Sequence, residues 1–251
     1  MAATLLRDLL FGYEEGTSLV PADFSVFNTS TQSTSNGGQC CLWTVPTGVT
    51  HAIFEMWSGG GSGGGGNCCR HGGGAGAGGY GVKSCNVVAG QQIRICAASS
   101  GCCTASGQDG GICGCCTFVC SLDNGTWQAS IAGGHCANVN TRCFYYNNCY
   151  DCCSQCYCCG GIGSNVDFFF PGVNGGAHPT QHCLNDAYQI SANAPNTAGG
   201  MRMGYGGCCA MGGGNGFGMF PGGGGLSSQT MGGGCCCGSP GGGGMVYVVY
   251  Y

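Results

Sequence analysis

Short apolar runs that break off into glycine set the pattern of this chain. Ile53-Phe54-Glu55-Met56-Trp57 runs straight into Ser58-Gly59-Gly60-Gly61 and on through Gly66. Near the other end, Gly241-Gly242-Gly243-Gly244 gives way to Met245-Val246-Tyr247-Val248-Val249-Tyr250-Tyr251. At the first of these runs, Leu42-Trp43-Thr44-Val45 and residues 49–57 flank Pro46-Thr47-Gly48, which reads as the turn of a hairpin. Residues 82–88 and 91–97 flank Ala89-Gly90 and read as a second hairpin, with Ile93 and Ile95 alternating against polar neighbours on one buried face. These strands and the C-terminal run predict a small antiparallel sheet. First and last strands then meet, and the glycine tracts leave and return to one base.

Those tracts recur at 59–66, 72–79, 172–176, 204–207, 212–218, 222–225, 232–234 and 241–244. An α-helix does not survive them, since each glycine costs about 1 kcal/mol relative to alanine. A conventional strand has no side chains to pack there. Bare glycine can instead take an extended left-handed helix of about 3 residues per turn with no internal hydrogen bonds. Several such helices pack side by side and bond to one another, the polyglycine-II arrangement, which satisfies every buried backbone group. Ordering costs on the order of 1–2 kcal/mol per residue, so interchain bonds and cross-links must offset it.

Residues 1–39 differ in composition: no cysteine, no glycine tract, and Asp8, Glu14, Glu15 and Asp23 among the ten acidic residues of the chain. Leu5, Leu6, Leu9 and Leu10 fall on one helical face before Gly12. A helix this short is not stable alone. The reading is a short helical or extended docking arm over 1–39, followed by one glycine- and cysteine-rich domain over 40–251 with an aromatic insert at about 135–200.

Composition narrows the function. Of 251 residues, 56 are glycine and only 6% are charged, with a formal net charge of -4. That balance offers nothing to nucleic acid or to an anionic membrane, and no apolar run approaches the roughly 20 residues that span a bilayer. The first residues lack the basic and apolar regions of a signal peptide. Yet 26 cysteines are present, a density typical of disulfide scaffolds in oxidising surroundings. A leaderless product reaches such surroundings in a particle released by lysis.

Many of the cysteines are adjacent: Cys40-Cys41, Cys68-Cys69, Cys102-Cys103, Cys115-Cys116, Cys152-Cys153, Cys158-Cys159, Cys208-Cys209 and Cys235-Cys236-Cys237. Neighbours in an extended segment point to opposite sides, so a vicinal pair can staple one glycine segment to both its neighbours, each bridge worth about 2–4 kcal/mol. The alternatives are buried free thiols and zinc. For zinc, Cys149, Cys152, Cys153, Cys156 and Cys159 give overlapping C-x₂-C spacings, with His178, His182 and Cys183 as further ligands. The G-x-S-x-G at Gly60-Gly61-Ser62-Gly63-Gly64 and several G-x-G-x-x-G matches are trivial inside polyglycine and lack their strand–turn–helix context. No cysteine or serine has a base with an orienting carboxylate beside it in sequence, so an enzyme is not expected and no cofactor is implied.

Phe144, Tyr145, Tyr146, Asn147, Asn148, Tyr150 and Tyr157 lie in the one long insert that is rich in aromatics. Tyrosine and asparagine at this density suit a binding loop, because tyrosine supplies contact area at low entropic cost. They equally suit the cap of a cysteine-rich mini-core. The run 166–171 reads as a subunit contact or as buried beneath the insert. Asn28-Thr29-Ser30 and Asn124-Gly125-Thr126 match glycosylation sequons, which are discounted without a signal peptide.

Trp43-Thr44-Val45-Pro46-Thr47-Gly48-Val49-Thr50 followed by 53–61 resembles the opening of glycine-rich domains in phage tail-fibre proteins. Gly78-Gly79-Tyr80-Gly81, Val87-Val88-Ala89-Gly90-Gln91 and the ending 241–248 are similar to the same pattern. The resemblance covers roughly 42–100 and 241–251; the cysteines and the long inserts depart from it. It implies a tip adhesin in which packed polyglycine helices present receptor-binding loops. The expectation is therefore a mostly β and irregular fold: a small antiparallel sheet with packed polyglycine-II helices, cross-linked by disulfides. The expected role is that of a virion structural protein, a fibre or tail-tip component exposed on the particle. The arm would bind other virion or fibre subunits, the aromatic loops a host-surface receptor, and the chain would form a homo-oligomer. A self-assembling fibre or capsid-decoration subunit without a receptor role and an intracellular cysteine-rich zinc-binding protein are the alternatives.

Overall fold

The computed structural model describes residues 23–28, 39–63, 70–71, 75–101, 113–123, 127–136, 143–146, 149–152, 161–172, 176–177, 189–190, 203–204, 218, 220–225 and 238–251. Among them there is no α-helix. The strands are β1 (Asp23–Asn28), β2 (Gln39–Thr44), β3 (His51–Trp57), β4 (Arg70–His71), β5 (Tyr80–Asn86), β6 (Gln92–Ala97), β7 (Thr117–Ser121) and β8 (Gln128–Ile131). There follow β9 (Cys143–Tyr146), β10 (Cys149–Cys152), β11 (Gly163–Ser164), β12 (Phe168–Phe170), β13 (Gly176–Ala177), β14 (Gln189–Ile190), β15 (Met203–Gly204) and β16 (Met245–Tyr250).

Two five-stranded antiparallel sheets carry the fold, ordered β1-β16-β3-β5-β12 and β11-β8-β7-β6-β2. Their inner faces close on one core. Ala52, Phe54 and Met56 of β3 and Val246, Val248 and Tyr250 of β16 meet Ile93 and Ile95 of β6, Val119 of β7 and Ala129 and Ile131 of β8. Trp43 spans the gap, its ring 5.8 Å from Phe54 edge-on and 5.5 Å from Tyr250. The opposite face of β3 is buried too: Ile53 and Trp57 cluster with Ala77, Tyr80 and Val82. A strand apolar on both faces belongs in the middle of a sheet, and that is where β3 lies.

The C-terminal run does join the first strands, pairing from Met245↔Trp57 to Tyr250↔Ala52. Neither expected hairpin forms. β2 pairs with β6, not β3, and β5 pairs with β3 and β12, not β6. Pro46-Thr47-Gly48 and Ala89-Gly90 are corners at which the chain crosses from one sheet to the other. The two crossings run side by side, with Val45 N–H donating to Gln91 O and Gly90 N–H to Val45 O, both at 2.9 Å. Gly48 and Gly90 have φ of 87° and 83°, a region other residues enter at a cost. Crossing turns Trp43 of β2 and Phe54 of β3 toward one another across the core, whereas a hairpin pairing Val45 with Val49 would put them on opposite faces of one sheet.

Two further expectations change. Residues 23–28, inside the segment read as a docking arm, form β1 and pair with the whole of β16. The apolar run at 166–171 contains the edge strand β12, with Val166 and Phe169 packed on the main core and Phe168 on the second cluster. It is therefore part of this chain's own fold; only Phe170 in β12 is exposed.

The sandwich has two unlike ends. At one, short links 45–50, 87–91 and 122–127 join the strands. At the other, β3, β6, β8 and β12 run out, and β5, β7, β11 and β16 come in, as the pairs Trp57↔Tyr80, Met245↔Trp57, Thr117↔Ile131 and Phe170↔Tyr80 establish. Every long stretch of the chain after β2 leaves and re-enters through this end. Thr117 ties the two sheets there: its buried hydroxyl donates to Trp57 O at 2.7 Å and accepts from Ala98 N–H at 3.0 Å.

Candidate functional site

Above that end stands a bundle of glycine segments. Residues 58–63 form its axis. The amides of Gly59, Gly60 and Gly61 donate to Cys115, Gly242 and Gly76, and their carbonyls accept from Gly134, Gly101 and Gly225. Three consecutive residues thus bond to six different segments. β-strands alternate between two neighbours and α-helices bond internally; this segment does neither.

The bonds repeat every third residue, between antiparallel neighbours. Ser58 and Gly61 donate to Gly79 and Gly76, and Gly60 and Gly63 to Gly242 and Ser239. Ala75 and Gly78 donate to Gly225 and Gly222, and Gly241 and Gly244 to Gly101 and Ala98. Residues 58–63, 75–79, 98–101, 222–225 and 241–244 are all buried. Such contact is possible only without side chains: a Cβ on Gly114 would collide with the Gly59 carbonyl, and one on Gly241 with that of Gly60. The buried Ser58 is also satisfied, its Oγ donating to Ala132 O at 2.6 Å.

The aromatic insert rises from this bundle, between 132–136 and residue 161. Its backbone forms the hairpin β9–β10, with Tyr145 opposite Tyr150, Tyr146 opposite Cys149 and Phe144 opposite Asp151. The short strand β4, from the excursion between 63 and 75, adds to it through Arg70↔Phe144 and His71↔Cys143. Phe144, Tyr145, Tyr146 and Tyr150 are thereby brought into one three-stranded sheet. Asn147, Asn148 and Tyr157 lie outside the described residues, as do Leu5, Leu6, Leu9 and Leu10.

Of the cysteines expected to staple glycine segments, Cys40 is bridged, but to Cys96 across the β2–β6 ladder. Cys41, Cys115 and Cys116 are thiols. The staple therefore joins two sheet strands in register, and adjacency in sequence does not select it. Cys68, Cys69, Cys102, Cys103, Cys208, Cys209, Cys235, Cys236 and Cys237 lie outside the described residues. Of the alternative zinc ligands, Cys149 and Cys152 end β10, whereas Cys153, Cys156, Cys159, His178, His182 and Cys183 lie outside them. Among the described residues no group of three or more metal-binding side chains gathers, and no helix is long and apolar enough to cross a membrane.

Other chemistry on the sandwich is structural. Lys83, the single lysine, pairs with Asp167 at 2.9 Å, and Asp167 also accepts from Ser84 N–H at 2.7 Å. Burial pushes the Cys85 thiol up to about 11, with Asp167 adding to the rise and Lys83 opposing it, so Cys85 is protonated and a poor nucleophile. His51 Nε2 lies 2.8 Å from Ser84 Oγ and its Nδ1 3.0 Å from Asn86 Oδ1. That is the order of a nucleophile relay, which the sequence reading missed because the three residues meet only through the β3–β5 register. They lie on the flat face of a sheet, and Ser84 N–H, a natural oxyanion donor beside a nucleophile, is taken by Asp167. The trio binds the strands together.

No protein-family model matches the chain, and no curated protein matches it in sequence.

Proposed function

We propose that the chain is a virion appendage protein, a fibre or tail-tip component that presents aromatic loops to a host surface. The observation that carries this reading is the one-ended layout. All long excursions after β2 issue from a single end of the sandwich, beside a bundle whose buried segments 58–63, 75–79, 222–225 and 241–244 bond laterally every third residue. We read these segments as polyglycine-II helices, whose three residues per turn match that repeat. Lateral bonding makes a stiff mount without a large apolar core, and a stiff mount lowers the ordering cost of binding. The loops at its far end are then free to carry recognition. Attachment falls to Phe144, Tyr145, Tyr146 and Tyr150 of the β4–β9–β10 sheet. Residues preceding β1 supply the junction to other virion subunits, in a homo-oligomeric fibre.

Two measurements test this. Gold-labelled antibody against the chain should decorate the tip or fibre of intact particles; unlabelled particles would remove the virion assignment. Purified protein should compete with those particles for adsorption to their host cells. The Phe144→Ala/Tyr145→Ala/Tyr146→Ala variant should keep the wild-type melting temperature and lose that competition. Undiminished competition would move attachment away from β9.

A further inference from the structure

We propose that Cys113 and Cys136 form a second disulfide, a clamp that locks two glycine segments together where they open into the distal loops. Their Sγ atoms lie 3.1 Å apart, and Cys136 N–H also donates to Cys113 Sγ at 3.3 Å. A disulfide needs about 2.0 Å between sulfurs, so closure takes a side-chain adjustment on the order of 1 Å.

The backbone already holds the two segments in register. β7 and β8 pair antiparallel through Thr117↔Ile131. Three residues before Thr117 and three after Ile131, Gly114 N–H still donates to Gly134 O at 2.9 Å. Cys113 and Cys136 sit at the next step out, at the foot of the excursion 102–112 and of the aromatic insert. Cross-linking there ties the base of the insert to the bundle.

A metal explains the pair less well. Zinc in a structural site takes four ligands, and no third His, Cys, Asp or Glu joins these two sulfurs among the described residues. The nearby Cys115 thiol is differently engaged, its Sγ accepting from Ser99 Oγ at 3.2 Å. Cys113 is exposed, so a small oxidant reaches it. The Cys136 N–H aimed at its sulfur holds that sulfur against the segment it would bridge.

The co-reactant is a low-molecular-weight disulfide such as oxidised glutathione. The Cys113 thiolate attacks one of its sulfurs, forms a mixed disulfide and expels one small thiolate. Cys136 then attacks Cys113 Sγ, closing the protein bridge and expelling the second. The two cysteine protons pass to the two expelled thiolates. The protein loses two electrons and the small disulfide gains them.

The test is a linkage map of the full chain after incubation with oxidised glutathione, quenched in acid and cut with pepsin, where exchange is arrested. A peptide pair joining Cys113 to Cys136 should appear and vanish with reductant. Cys113→Ser and Cys136→Ser should each abolish it, with Cys136→Ser stopping at the mixed disulfide between Cys113 and glutathione, while Cys116→Ser retains it. Should either variant fail to fold, redox titration of the wild type decides. Protection of Cys113 and Cys136 from alkylation should share one midpoint; different midpoints, or both residues alkylated after oxidation, would overturn the clamp. The readout is the same whether or not the protein binds a cell, so it stands apart from the attachment role.

Discussion

A methyl group added to Gly60 would fall inside the carbonyl of Gly223, because the two backbones are in direct contact. Gly242 completes the triangle: Gly60 donates to its carbonyl at 2.9 Å, and its own amide donates to Gly223 O at 2.6 Å. Backbone packed against backbone on all sides is what the glycine content makes possible. The clashing atoms belong to main chain, which cannot rotate away as a side chain does.

Gly60→Ala should therefore be among the most damaging single changes, costing about 3 kcal/mol or more, the upper end for overpacking. Gly48→Ala is the contrast. Nothing lies within 4 Å of its Cβ, and only its φ of 87° penalises a side chain, by about 1–2 kcal/mol. Urea midpoints of the two variants measure the difference. Equal costs would mean that the bundle is not packed as described.

Amide exchange reads the same bundle without mutation. Gly59, Gly60, Gly61, Gly241 and Gly242 are buried donors with named carbonyl acceptors. Their protection should approach that of Phe54 and Val248 in the central ladder. Exchange as fast as in an unfolded peptide would remove the scaffold, and with it the basis for presenting loops.

Thr117→Val preserves shape and removes the hydroxyl that holds Trp57 O and Ala98 N–H together. Thr117 is fully buried, so water cannot replace it. The expected loss is about 1–3 kcal/mol, read by thermal or urea unfolding. A neutral result would place the joint between sheets and bundle elsewhere.

Glu55 gives a pH dependence. Burial raises its carboxyl above the ordinary range, and the hydrogen bond from Tyr80 only partly opposes that. The folded state then holds the proton at pH values where the unfolded chain has released it, so stability falls as pH rises through this window. The contribution is fully present below the usual glutamate value of about 4.3 and is lost above the raised one. Glu55→Gln mimics the protonated form and still accepts from Tyr80. It should melt higher than wild type at pH 7 and equal to it near pH 4; a lower melting temperature at pH 7 would reverse the sign of the argument.

Breaking the bridge between Cys40 and Cys96, which are 56 residues apart, should cost about 2–4 kcal/mol. Cys40→Ala is the cleaner probe, because Cys40 is exposed while Cys96 is buried. Cys41→Ala, beside it, removes only a thiol packed at the core edge and should cost less. If the urea midpoints of the two variants coincided, the bridge would not be formed.

The sequence by itself determined the parts. Alternation at Ile93 and Ile95 marks a half-buried strand, the doubly apolar run 52–57 marks a central one, and the glycine tract that follows the latter marks where side chains must be absent. Those are local properties: they follow from the period of the backbone and from what bare glycine cannot do. Tertiary structure decided the partners. Turn chemistry at Pro46-Thr47-Gly48 and Ala89-Gly90 makes the chain change direction but does not say into which sheet it goes. The shared core chose, by turning Trp43 and Phe54 toward one another. Likewise Cys96 found Cys40, and His51 found Ser84, only through registers fixed by the burial of whole sheets, a quantity that no short stretch of sequence contains.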